Sequence, residues 1–139
     1  MTYRLYDWDQ YDPRTGQRRP LQVEQALACI DFEQGAIGPV TPVLEQTQPV
    51  LRERLVQCDQ FGMTRITAQL PFMVGAAELP RVLVCLAGNG QLEHAGTNYP
   101  FGKGVVLLLP AAVGECSCRP QGDVSVLEVS LPEGSPTAG

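Results

Sequence analysis

The rhythm of apolar and polar residues changes twice along this chain. Leu21, Val23, Ala26, Leu27 and Ile30 recur near the 3.6-residue period of a helix. Pro20 suits the first turn, so the spacing predicts a helix ending near Ile30–Phe32. Residues 33–50 carry Gly35, Gly38, Pro39, Pro42 and Pro49 and read as loop. After that come short strands. Leu51–Cys58 predicts one, followed by a turn at Asp59-Gln60. Phe61–Leu70 alternates and predicts a second. Pro71–Leu79 reads as a connection. Arg81–Ala87 is a strongly apolar strand, and Gly88-Asn89-Gly90 reads as a hairpin turn into Gln91–His94. Ala95-Gly96-Thr97-Asn98 reads as another turn, leading to Tyr99 and Phe101. Gly102-Lys103-Gly104 reads as a hairpin turn before Val105–Leu109, a buried strand stopped by Pro110. Glu115–Arg119 and Asp123–Leu131 complete seven or eight strands.

One early helix followed by closely spaced strands predicts an all-β sandwich or small barrel. No repeat and no βαβ alternation is visible, which argues against a parallel α/β sheet. The expected organisation is an N-terminal arm and helix over 1–33, a β domain over 34–131 and a disordered tail over 132–139. That tail is rich in Gly, Ser, Pro and Ala.

Composition narrows the partners. The chain has 139 residues, enough for one domain, and 44% of them are hydrophobic, enough for a real core. The formal net charge is −5, with Lys103 the single lysine and Arg18-Arg19 the only adjacent basic pair. No basic stripe is present to displace counterions from nucleic acid or to meet an anionic membrane surface. No run approaches the ~18–20 apolar residues that span a bilayer. The start, Met1-Thr2-Tyr3-Arg4, lacks a signal-peptide pattern. A cytoplasmic protein is expected. The five cysteines, Cys29, Cys58, Cys85, Cys116 and Cys118, are odd in number and include no Cys-x-x-Cys, which fits reduced thiols used as small hydrophobes. Cys116 and Cys118 are expected on one face of a strand, poor geometry for a disulfide. With one histidine in the chain they cannot complete a tetrahedral zinc site.

Two stretches carry a resemblance. Leu86-Ala87-Gly88-Asn89-Gly90, through Gly104 and the apolar strand to Leu109-Pro110-Ala111, has the layout of a cupin-type jelly roll. Thr2-Tyr3-Arg4-Leu5-Tyr6-Asp7-Trp8, followed by Arg19-Pro20-Leu21 and on to Phe32, is the more specific signal. In this order, from about Thr2 to Leu131, they resemble the C-terminal part of the bacterial class I mannose-6-phosphate isomerases. The resemblance implies a cupin-like jelly roll with one short N-terminal helix. It also implies a zinc-dependent interconversion of mannose 6-phosphate and fructose 6-phosphate through a cis-enediol. An arginine there supports developing negative charge, the setting in which a fixed cation contributes most; the motif match puts Arg4 at that position. The family's zinc ligands lie upstream of the Thr-Tyr-Arg segment, so the resemblance implies a chain that lacks the zinc-ligand half and is inactive alone. The cupin region itself offers no histidine cluster over Leu70–Gly90 and none after Pro110.

Each candidate has a plainer reading. Arg4 is either the active-site cation or a surface arginine paired with Asp7 or Asp9. Tyr3, Tyr6 and Trp8 line a sugar pocket or serve as core or interface. His94 reads as a solvated hairpin residue, and Asp7, Asp9 and Asp12 as a solvated acidic loop. Two functions remain open: an isomerase-family protein acting on a sugar phosphate, or a non-catalytic cupin-like module. In the second case, exposed apolar surface predicts a homo-dimer or docking to a missing N-terminal half.

Overall fold

A computed structural model describes residues 2–132. It divides the chain into two units, Met1–Pro39 and Val40–Gly139. The expectation of a disordered tail falls on 133–139, outside the described residues.

The first unit holds the single α-helix among the described residues, α1 (Val23–Ala28). It is shorter than the apolar spacing predicts at both ends. At its start, the Gln22 backbone N–H donates to the Arg4 carbonyl at 3.0 Å, and the Gln22 side chain donates to the Pro20 carbonyl at 3.0 Å. The chain is thus tied to neighbouring segments until residue 23. At its end, the Cys29 and Ile30 N–H groups reach only three residues back, to Ala26 and Leu27. That tightening closes the helix before Ile30. Ahead of the helix, an isolated bridge between Tyr11 and Arg18 closes the loop around Gly16.

The described residues of the second unit form ten strands: β1 (Val43–Gln46), β2 (Leu51–Gln57), β3 (Gly62–Ala68), β4 (Phe72–Gly75), β5 (Arg81–Ala87), β6 (Asn89–His94), β7 (Thr97–Gly102), β8 (Val106–Leu109), β9 (Glu115–Pro120) and β10 (Val124–Ser130). They form two antiparallel sheets, in the orders β1-β2-β3-β10-β5-β8 and β4-β9-β6-β7. Alternation supplies the inner face: Ile66 and Ala68, Val124 and Val126, and Leu83 and Cys85 from the larger sheet meet Phe72 and Val74, Leu92, and Cys116 and Cys118 from the smaller.

Several expectations change. β1, β4 and β7 form where loop or connection was expected. β1 is almost wholly exposed, and β7 is an edge strand, the place where Pro100 is tolerated without a broken ladder bond. Gly88-Asn89-Gly90 is not a hairpin turn, because β5 pairs with β10 and β8 whereas β6 pairs with β7 and β9. Gly88 carries the chain from one sheet to the other with φ +81°, and a Cβ there would lie 2.0 Å from the Asp123 carbonyl oxygen. Gly102-Lys103-Gly104 returns the chain to the larger sheet, so it is also a crossing, and the Lys103 N–H donates to the Gly88 carbonyl at 3.1 Å. The true hairpin is β6–β7, whose two-residue turn Ala95-Gly96 has positive φ at both positions, the form that matches strand twist. Finally, β8 is buried on one face only: it is the edge of the larger sheet, Leu109 is in the core with Leu107 packed against it, and Val106 and Leu108 are 59% and 64% exposed.

A half-buried ion pair links the two sheets. Glu128 shares the inner face of β10 with Val124 and Val126. Its Oε1 accepts from the Gly75 N–H at 2.8 Å, and its Oε2 lies 3.7 Å from Arg52 Nη1. Arg52 also donates to the Met73 carbonyl at 2.9 Å. β10 and β2 of one sheet thereby hold β4 of the other.

Candidate functional site

The arm in the first unit is built around one carboxylate. Asp7 accepts two hydrogen bonds from the fork of Arg19, from Nε to Oδ2 at 2.6 Å and from Nη2 to Oδ1 at 2.8 Å. Arg19 Nη2 also donates to the side-chain oxygen of Gln10. This bidentate form is the strong geometry for a guanidinium–carboxylate pair. Asp7 is therefore not part of a solvated acidic loop: its side chain is 16% exposed. Asp9 is exposed and pairs with Arg18 at 3.1 Å, and Asp12 accepts from the Arg14 N–H at 2.7 Å to form a local turn.

Arg4 also approaches Asp7, with Nε 3.8 Å from Oδ1. That is an ion-pair distance and not a hydrogen bond. Among the described residues its guanidinium makes no hydrogen bond. Two guanidiniums thus share one carboxylate, which leaves one positive charge in excess, and Arg4 is the one without a hydrogen bond to it. The Arg4 backbone is held at both ends, its N–H donating to Gln22 Oε1 at 3.4 Å and its carbonyl accepting from the Gln22 N–H.

Beside Arg4 is an open concavity of about 730 Å³, lined by Thr2, Tyr3, Arg4, Leu5, Tyr6 and Trp8 with Ala26, Cys29 and Ile30 from the helix segment. Tyr6 and Trp8 pack edge to face, with ring centroids 5.4 Å apart. Trp8 and Asp9 both have positive φ, +46° and +53°, in a turn closed by the Gln10 N–H on the Asp7 carbonyl at 2.9 Å. For residues other than glycine each such conformation costs roughly 1 kcal/mol. One cation beside exposed aromatic rings can meet an anionic group and the apolar face of a sugar ring together.

Cys29 lines that concavity and is exposed, whereas His94 and the buried Cys85, Cys116 and Cys118 belong to the second unit. His94 is half-buried at the end of β6 and not a solvated turn residue. Its Nδ1 lies 3.7 Å from Cys116 Sγ, beside a cavity of about 130 Å³ lined largely by leucines. Burial pushes the Cys116 thiol above its ordinary value, which keeps it protonated. Cys85 is raised by the same cause, and Cys118 is pushed up to about 11 by burial and then by the neighbouring Cys85. These are inert core thiols. Among the described residues no group of three or more His, Cys, Asp or Glu side chains is placed to hold a metal ion. One imidazole facing one protonated thiol does not fit zinc. No helix among those residues is long and apolar enough to cross a membrane.

Arg19 and Gln22 are the residues that sequence reasoning missed. Arg19 lies 12 positions from Asp7 and Gln22 18 from Arg4, and no local spacing marks them as partners.

No family model matches the chain. The architecture is that of the cupins. An RmlC-like cupin from Desulfovibrio desulfuricans superposes with a TM-score of 0.53 at 19% identity, over 74% of this chain and 95% of that one. Ectoine synthase from P. lautus superposes with a TM-score of 0.56 at 17% identity, over 64% and 68%. The chain is also similar in sequence to an enzyme of known activity. In sequence the chain is 28% identical over 127 residues to mannose-6-phosphate isomerase ManA of Bacillus subtilis, covering 82% of this chain and 36% of that protein. The crystal structure of the B. subtilis mannose 6-phosphate isomerase superposes with a TM-score of 0.70 at 20% identity, over 91% of this chain and 39% of that one. The chain thus spans little more than a third of the length of the curated relative it matches.

Proposed function

We propose that this protein binds a phosphorylated sugar at Arg4 and contributes that arginine to mannose-6-phosphate isomerase chemistry in the cytoplasm. The observation that carries the reading is the Arg4 guanidinium, without a hydrogen-bond partner among the described residues and beside an aromatic-rimmed concavity, in a chain similar to such an enzyme. Arg4 would balance negative charge on the substrate as it develops, and Tyr6 and Trp8 would stack on the ring. The donor set among the described residues does not fit zinc, so no step is assigned to a metal here. Turnover therefore requires groups beyond these residues, and the isolated chain binds without isomerising.

A coupled isomerase assay with added zinc, run beside a mannose 6-phosphate titration, tests this. Saturable binding that Arg4→Met weakens at least tenfold is expected, with no turnover. Binding unaffected by that substitution would refute the site, and turnover by the purified chain would refute the division of labour.

A second reading, a non-catalytic interaction module that pairs with itself or with another chain, has its own observation. Edge strand β8 carries no charge and exposes Val106 and Leu108, an unprotected edge. Size-exclusion chromatography with light scattering decides it. A dimer that Leu108→Lys converts to monomer supports the module, and a wild-type monomer at high concentration counts against it.

A further inference from the structure

We infer that Arg19, acting through Asp7, is a positioning residue that keeps the Arg4 guanidinium available and holds the turn bearing Trp8; this rests on the proposed reading of Arg4 as the sugar-phosphate cation. Asp7 is the only carboxylate within ion-pair distance of Arg4 among the described residues. If Asp7 were free, it would close on Arg4 and neutralise it. Arg19 prevents this by occupying both carboxylate oxygens in a fork, leaving Arg4 at 3.8 Å with its terminal nitrogens unused. The same Arg19 nitrogen that bonds Asp7 Oδ1 also holds Gln10. Asp7 and Gln10 are the two ends of the turn in which Trp8 and Asp9 adopt left-handed backbone. One guanidinium thus clamps both ends of a conformation that bulky residues avoid. It fixes the cation and the aromatic rim in the same place.

Charge makes the inference separable from a merely structural role. The trio Arg4, Asp7 and Arg19 sums to +1. Arg19→Met lowers the sum to zero and frees Asp7 to neutralise Arg4. Asp7→Asn raises it to +2 but releases the clamp. The two substitutions therefore move simple anion binding in opposite directions, whereas unfolding of the arm would lower it in both.

Trp8 is the single tryptophan of the chain, so its emission reports on the site directly. The full chain and both variants, checked for retained β structure by circular dichroism, are titrated with mannose 6-phosphate and with inorganic phosphate. Arg19→Met is expected to weaken both ligands by about tenfold and to lower the Trp8 anisotropy in the ligand-free protein. Asp7→Asn is expected to hold or tighten inorganic phosphate while the preference for mannose 6-phosphate over phosphate shrinks by about tenfold. Equal losses for both ligands in both variants, or no change in either, would overturn the inference. Unchanged Trp8 anisotropy in Arg19→Met would overturn the clamp. If the wild type binds no mannose 6-phosphate, the reading of Arg4 falls and the positioning role falls with it. Wild-type binding that is indifferent to Arg19 defeats the positioning role alone.

Discussion

Removing the Glu128 carboxylate should loosen the sandwich by an amount the geometry allows one to work out. In Glu128→Ala the Gly75 N–H loses its acceptor at 2.8 Å, and Arg52 loses its carboxylate at 3.7 Å. A hydrogen bond to a charged group is worth about 1.5–3 kcal/mol net. The ion pair falls between two limits. Fully exposed pairs contribute about 0–1 kcal/mol, and breaking a fully buried one costs about 3–5 kcal/mol. With Glu128 13% and Arg52 25% exposed, and Arg52 keeping the Met73 carbonyl, about 1–2 kcal/mol is reasonable for the pair. The alanine variant should lose roughly 3–4 kcal/mol in all. Glu128→Gln keeps an oxygen for Gly75 and should lose only about 1–2 kcal/mol. Urea unfolding of the full chain, followed by far-ultraviolet circular dichroism, measures both through the midpoint at constant slope. An alanine variant within about 0.5 kcal/mol of wild type would refute the argument. So would a glutamine variant as damaged as the alanine one, because the hydrogen bond to β4 would then not be the larger part.

Two further tests reach other parts of the fold. Gly88→Ala places a Cβ 2.0 Å from the Asp123 carbonyl at φ +81° and should destabilise by more than about 3 kcal/mol; urea midpoints near wild type would mean the sheet crossing yields freely. Cys118, pushed up to about 11 from an ordinary 9.0, stays protonated in the folded state after the unfolded chain has ionised. Its contribution is complete below pH 9 and is lost as pH rises from 9 towards 11, by about 2 kcal/mol. Cys118→Ala should flatten that part of the stability–pH curve, and an unchanged slope would remove Cys118 as its cause.

What the sequence determined by itself was local. Alternation at Phe61–Leu70 and the apolar run at Arg81–Ala87 made strands predictable, because a side-chain period of two is a property of a single strand. The all-β class follows from such segments. The family resemblance carried by the Tyr3–Asp7 segment singled out Arg4 as the candidate cation. Tertiary structure decided what depends on partners. β1 and β7 have little inner face to reveal them, being an exposed edge strand and an edge strand holding Pro100. Gly88 was legible as a bend, but whether it turns a hairpin or crosses between sheets depends on which strands receive β5 and β6. The run at Val105–Leu109 looks buried by composition, and only its place at the sheet edge leaves Val106 and Leu108 exposed. The arm shows the same division. Arg4 and Asp7 lie three residues apart and were read together, but their charge balance is set by Arg19, 12 residues beyond Asp7. No periodicity connects those positions. Only folding brings the second guanidinium to the carboxylate, and that decides whether Arg4 is neutralised or available.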